Sequence, residues 1–237
     1  MKIALSIISL LGIFFSNSQN LTQNQLLELK MNEKKLTYLA LGDSYTIGEG
    51  LQESDRYPNL LVQKLREATS LDWQAPKIIA KTGWTVDELN EGINQADLED
   101  QTFDLVTLSI GVNNQYRGRP VEDYKLEFEA MLKRAIAFAG NKSENIVVLS
   151  IPDWGVTPFA VSKGVDQKKV AKEIDAYNQA KKEICKAYEI QFIDITEDYR
   201  KIGGEIKMVV NDNLHPSSVV HRQWTDKLVS HILSLKF

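Results

Sequence analysis

Cysteine is almost missing from this chain: Cys185 stands alone among 237 residues. An intrachain disulfide is therefore impossible, and zinc sites built on paired cysteines are excluded. Histidine is nearly as scarce, with three copies, which leaves few candidates for chemistry that needs an imidazole. The chain has 6 prolines and 13 glycines, too few for a collagen-like or Gly/Pro-rich fibre. Basic charge is not in excess either: Lys and Arg total 28 against 32 Asp and Glu, a net charge of -4. Binding nucleic acid regardless of sequence means neutralising phosphates. No cluster of basic residues offers that, so no nucleic-acid partner is expected. The apolar run Ile3 to Phe15 falls short of the ~20 residues that span a bilayer, so the mature chain is not expected to insert stably in a membrane. What the chain does have is 43% hydrophobic residues, enough to offset chain entropy, and intrinsic disorder is excluded.

That apolar run follows Met1-Lys2, a short basic start, and precedes Ser16-Asn17-Ser18, a small-x-small pattern suited to cleavage after Ser18. The layout is that of a secretory signal peptide; a buried N-terminal helix or strand is the plainer alternative. Residues 1–18 are expected to be a signal peptide and the mature chain to be exported, periplasmic or secreted. Residues 19–35 are largely polar, with Leu26, Leu27, Leu29 and Met31 as an apolar cluster, and read as a linker or short helix. One domain is expected over 36–237.

From Leu36 onward short apolar runs alternate with longer amphipathic ones. Strands are expected at 36–41, 77–80, 103–110, 146–151 and 190–195. Helices are expected at 57–68, 85–97, 121–139, 166–188 and 216–235. Thr85 with Glu88 has the spacing of a capping box, and Val220, Trp224, Leu228 and Ile232 recur at one helical face. Continuous apolar strands separated by helices read as a parallel sheet covered on both faces, an α/β three-layer sandwich. Sites in such sheets lie beyond the carboxyl ends of the strands, so the residues after Leu41, Ala80, Ile110 and Ile151 matter most.

Those positions hold Gly42-Asp43-Ser44, Lys81-Thr82-Gly83-Trp84 and Gly111-Val112-Asn113-Asn114, with Asp212-Asn213-Leu214-His215-Pro216 just before the last helix. A serine hydroxyl attacks well only when a base removes its proton. His215 suits that role, because it precedes Pro216, a residue favoured at the first helical position, so its ring is expected to project from a loop. His221 and His231 fall on the body of the last helix, where a surface or core-edge role is expected. Asp212 lies near enough to orient the imidazole. The Ser44 N–H, the Gly83 N–H and the Asn113 amide offer three donors for an oxyanion. Taken singly, each residue has a plainer reading: Ser44 as a helix N-cap, Asn113 as a turn cap, Asp212 and His215 as a loop pair.

Together these residues resemble the GDSL, or SGNH, hydrolase family, whose four letters correspond here to Ser44, Gly83, Asn113 and His215. The resemblance runs from Tyr38 to the last helix. It implies a flavodoxin-like fold with a central five-stranded parallel sheet, Ser44 as nucleophile, His215 as base with Asp212 behind it, and an oxyanion hole from Ser44, Gly83 and Asn113. It implies a small-molecule ester substrate and no cofactor or metal. Two positions depart from the family pattern: Tyr45 replaces the usual Leu, and Asn114 the usual Asp. Thr46 stands where a Gly-x-Ser-x-Gly elbow needs its last glycine, so the larger α/β-hydrolase class does not fit.

Substrate contacts are expected from Trp84, Tyr116 and Trp154, flat apolar surfaces, and from Arg117 and Arg119, which could meet an anionic group. Core filling for the tryptophans and a solvated loop for the arginines are the plainer readings. The glycines of Ile47-Gly48-Glu49-Gly50-Leu51 suggest a flexible segment. From another class, Gly42 to Gly50 could cradle a phosphate in a non-catalytic binding module, although it lacks both common Gly-rich spacings.

Overall fold

Apolar runs too short for helices pair side by side in the computed structural model, which describes residues 34–237 apart from Glu99 and Lys236. The strands are β1 (Lys35–Leu36), β2 (Tyr38–Gly42), β3 (Asp72–Trp73), β4 (Lys77–Ala80), β5 (Leu105–Ser109), β6 (Ile146–Leu149) and β7 (Gln191–Ile193). Five of them form one parallel sheet in the order β4-β2-β5-β6-β7. Counted along the chain that is 2-1-3-4-5, the flavodoxin-like doubly wound order. The three inner strands are buried at every residue, which is why they read as unbroken apolar runs. Register then does the positioning. Gly42 lies opposite both Ala80 and Ser109, so β4, β2 and β5 end level and release their next residues along one edge.

The helices are α1 (Ser44–Ile47), α2 (Tyr57–Ala68), α3 (Val86–Gln95), α4 (Val112–Tyr116), α5 (Val121–Phe138), α6 (Pro158–Ser162), α7 (Gln167–Ala187), α8 (Thr196–Ile202) and α9 (Ser218–Ile232). Helices α2 and α9 pack together, while α5 packs against both α3 and α7. Helix α3 starts as its capping box requires, with the Glu88 carboxylate accepting the Thr85 N–H at 2.9 Å. The expected signal peptide and nearly all of the expected linker lie outside the described residues. Lys35 already belongs to β1, and the compact unit begins at Lys34.

Four expected boundaries move for identifiable reasons. The strand expected over 36–41 breaks at Thr37, whose N–H and hydroxyl both donate to Asp104 Oδ2 (2.9 and 3.0 Å). Leu36 consequently pairs with Trp73 in a separate two-stranded sheet. The strands expected to reach Ile151 and Ile195 stop earlier. Ser150 Oγ accepts the N–H groups of Ile195 and Thr196, and Asn178 brackets Ile151 by bonding both its N–H and its carbonyl. The last helix begins at Ser218, not Pro216. Pro216 is held extended in an antiparallel bridge with Val209, and Val210 N–H donates to the His215 carbonyl (2.8 Å).

His221 is not at a surface or core edge, as its place on the last helix suggested, but inside the core at 1% exposure. Its Nδ1 accepts the Tyr57 N–H (3.0 Å), which joins α9 to α2, and its ring stacks beside Tyr57. Burial pushes its pKa down to about 3, with the nearby His215 and Arg56 acting in the same direction. In the unfolded chain the ring titrates near its ordinary value, about 6.5. The unfolded state therefore binds more protons between those limits. The contribution is intact above about pH 6.5 and is lost as pH falls toward about 3, by at most about 1.4 kcal/mol per pH unit. His221→Asn keeps an acceptor for Tyr57 and removes the titration. Its unfolding free energy is expected to fall less than the wild type's between pH 6.5 and 4.5, by about 2 kcal/mol. Parallel losses in the two proteins, measured by urea denaturation, would show that His221 is not the group responsible.

Candidate active site

The end of β2 is crowded. A Cβ on Gly42 would lie 2.4 Å from the Ser109 carbonyl oxygen and 2.0 Å from Thr46 Oγ1, so only glycine lets α1 start this close to β5. The cap of α1 is Asp43, not Ser44: Asp43 Oδ1 accepts the Tyr45 N–H at 3.0 Å. That releases the Ser44 side chain from capping. The residue is 4% exposed, and among the described residues neither its hydroxyl nor its N–H has a hydrogen-bond partner. Burial raises the Asp43 pKa to about 7, opposed by the Tyr45 N–H and by the buried Lys181.

Beyond β4, Gly83 adopts φ +86°, the left-handed region that favours glycine. Its N–H donates to no described residue, and its carbonyl accepts from Arg117 Nη2 at 2.7 Å. Arg117 also meets both oxygens of Glu88 at 3.0 Å and, hydrogen-bonding it, lowers the Glu88 pKa. Beyond β5, Asn113 lies in the first turn of the short helix α4 and donates one Nδ2 hydrogen to the Trp84 carbonyl (2.9 Å). That bond fixes the amide and leaves its second hydrogen available. Neighbouring Asn114, fully buried, accepts the Val86 N–H (3.1 Å) and donates to Glu127 (2.8 Å). A carboxylate at 114 would keep the first bond but face Glu127 with like charge, so the asparagine is matched to its neighbour.

His215 arrives on the loop that the Val209–Pro216 bridge closes. Asp212 Oδ1 accepts the N–H groups of Leu214 (2.8 Å) and His215 (2.9 Å), while Oδ2 pairs with His215 Nδ1 at 2.6 Å. Burial works to raise the Asp212 pKa, but these three hydrogen bonds outweigh it and hold the carboxyl below its ordinary value. The imidazole leans on the Tyr45 ring, centroids 5.7 Å apart.

Ser44, Gly83, Asn113 and His215 all line one cavity of about 210 Å³, whose apolar wall includes Tyr116 and Trp154. The Ser44 hydroxyl and the imidazole share this cavity without a direct hydrogen bond between them; such bonds often tighten only when substrate is bound. Larger depressions beside Arg134 and along β7 contain none of the four.

The expected substrate contacts divide. Tyr116 and Trp154 reach the cavity, edge to face with centroids 5.1 Å apart. Trp84 instead packs over Gly92 of α3, where a Cβ would lie 2.1 Å from its ring, and turns its carbonyl to Asn113. Arg117 and Arg119 are not free to meet an anion, since Glu88, Asp87 and Glu127 pair with them. The loop after α1, expected to be flexible, is tied across to the Gly83 turn by a hydrogen bond from the Thr82 hydroxyl to Glu49. Sequence reading missed the supports of Trp154. Its Nε1 donates to Gln115 Oε1 (2.8 Å), and Arg200 pairs with Asp153 at the base of its turn (2.8 Å). Neither partner is near it in sequence, so no local pattern announces them.

The sequence profile of the GDSL-like lipase/acylhydrolase family matches residues 40–223. The chain belongs to this family. Membership makes it a carboxylic ester hydrolase, and the matched span contains all four residues on the cavity. No curated protein matches the chain. Solved structures share the fold at low identity. A lipase/acylhydrolase from Enterococcus faecalis is 20% identical with a TM-score of 0.65, covering 83% of this chain and 95% of its own. The psychrotrophic esterase EstA from Pseudoalteromonas sp., in a structure inhibited by monoethylphosphonate, is 20% identical with a TM-score of 0.62, covering 83% and 96%. The acetyl xylan esterase AlAXEase is 16% identical with a TM-score of 0.65, covering 84% and 100%.

Proposed function

We propose that this GDSL-family hydrolase cleaves carboxylic esters through an acyl-enzyme on Ser44. The observation that carries the proposal is the convergence on one cavity of a serine hydroxyl without partners, N–H donors left unbonded, and an imidazole backed by a carboxylate. Ser44 Oγ attacks the ester carbonyl carbon while His215 Nε2 takes its proton. Asp212 keeps the other ring proton on Nδ1 and stabilises the imidazolium. The carbonyl oxygen becomes an oxyanion and is met by the Ser44 N–H, the Gly83 N–H and the second hydrogen of Asn113 Nδ2. Collapse expels the alcohol, which takes the proton from His215, and leaves the acyl group on Ser44. Water then enters, gives its proton to His215 and attacks the acyl carbon. The second collapse releases the acid and returns the proton to Ser44.

The phosphate-cradle alternative has less support. Helix α1 is only four residues long, and the carboxyl of Asp43 occupies its N-terminus, where it would oppose an anion. We also propose export of the mature protein, supported by the basic start, apolar run and small-x-small site over residues 1–18.

A common acyl-enzyme has a kinetic signature. With methanol added, phenyl and nitrophenyl esters of one acid are expected to give the same ratio of methyl ester to free acid, because both pass through the same intermediate. A ratio that follows the leaving group would mean direct attack by solvent and would remove the covalent step.

A further inference from the structure

Resting on the hydrolase reading, we infer that the site is built for small uncharged esters with short acyl groups, and that Trp154 sets this limit. The first argument is size. The cavity holds about 210 Å³. That is below the roughly 300–1,000 Å³ of pockets that enclose drug-sized ligands, so the cavity suits a short acyl chain.

The second argument is rigidity. Trp154 is 6% exposed and is fixed from two sides. Its Nε1 donates to Gln115 Oε1 (2.8 Å), and Gln115 Nε2 in turn donates to Glu173 (2.8 Å). Its turn is anchored by Asp153, which accepts the Gly155 N–H (2.9 Å) and pairs with Arg200. Swinging the indole aside for a longer chain would leave buried polar groups unpaired.

The third argument is charge. Among the described residues no lysine or arginine lines the cavity, and His215 is the only basic side chain on it. The nearby cations Arg117 and Arg119 are paired with Glu88 and Asp87. An anionic acyl chain would lose its hydration without gaining a partner.

Nitrophenyl esters of graded acyl length test the size limit. For the wild type, kcat/KM is expected to peak between about two and four carbons and to fall at least about tenfold by eight. In Trp154→Ala the peak is expected to move to about eight carbons or more. Tyr116→Ala, at an exposed position that does not endanger folding, is expected to relax the decline on the same series. Nitrophenyl butyrate is expected to react at least about tenfold faster than the hemisuccinate of the same alcohol. A wild-type optimum at long chains, or an unchanged profile in both variants, would overturn the size limit. Equal rates on butyrate and hemisuccinate would overturn the preference for uncharged esters. Absence of hydrolysis on every ester together with an unreactive Ser44 would instead strike the hydrolase reading, and this inference with it.

Discussion

Ser44→Ala is expected to lower kcat/KM for ester hydrolysis by at least about 10⁴-fold while leaving the thermal midpoint nearly unchanged. The two halves of this expectation come from the same observation. The hydroxyl makes no hydrogen bond among the described residues, and Asp43 caps α1. Removing the oxygen therefore breaks no structural bond, and the effect on stability should stay within about 0.5 kcal/mol. The chemistry, by contrast, loses the atom that forms the bond to the acyl carbon. His215, Asp212 and the N–H donors would remain, so a small residual rate from water attacking a bound ester is expected. Steady-state kinetics and a melting curve on one preparation measure both halves. A variant that keeps most of its rate would remove Ser44 from the reaction. A variant that unfolds would give the residue a structural role that its surroundings do not show.

Asn113→Ala is the second large effect. Loss of one oxyanion donor is expected to reduce kcat by about 10²–10³-fold, or about 2.7–4 kcal/mol of transition-state stabilisation. KM should change little, because the bond strengthens as charge develops on the oxygen. Asn113 also holds the Trp84 carbonyl at 2.9 Å, so its replacement releases one side of the Gly83 turn. Arg117 still grips that turn through the Gly83 carbonyl and Glu88, which should limit the disturbance. A raised KM with unchanged kcat would make Asn113 a substrate contact and not an oxyanion donor.

Much of the architecture was legible because buried parallel strands must be apolar throughout. β4 and α2 fall at their expected bounds, and the capping box at Thr85 forms as its spacing requires. The helices α1, α4, α6 and α8 went unseen, since segments of four to seven residues are too short to show a helical period. Ser44, Gly83 and Asn113 come just after the ends of β2, β4 and β5, which is why those positions could be named in advance, while His215 reaches them from the loop before α9. The fate of the other side chains depended on partners far along the chain. Arg117 looked available for a substrate because Glu88 is 29 residues away. Trp84 looked like a cavity wall because nothing local shows that Gly92 leaves a recess for its ring. Pro216 looked like a helix start because proline suits both a first helical turn and an extended bridge, and only Val209 decides between them.

The most direct measurement is the mass of the protein after brief exposure to a fluorophosphonate, followed by peptide mapping. One adduct on the peptide containing Ser44 is expected, absent from Ser44→Ala and formed far more slowly in His215→Ala. Ester hydrolysis by a protein that acquires no adduct, or an adduct on a different serine, would contradict the assignment of Ser44 as the nucleophile.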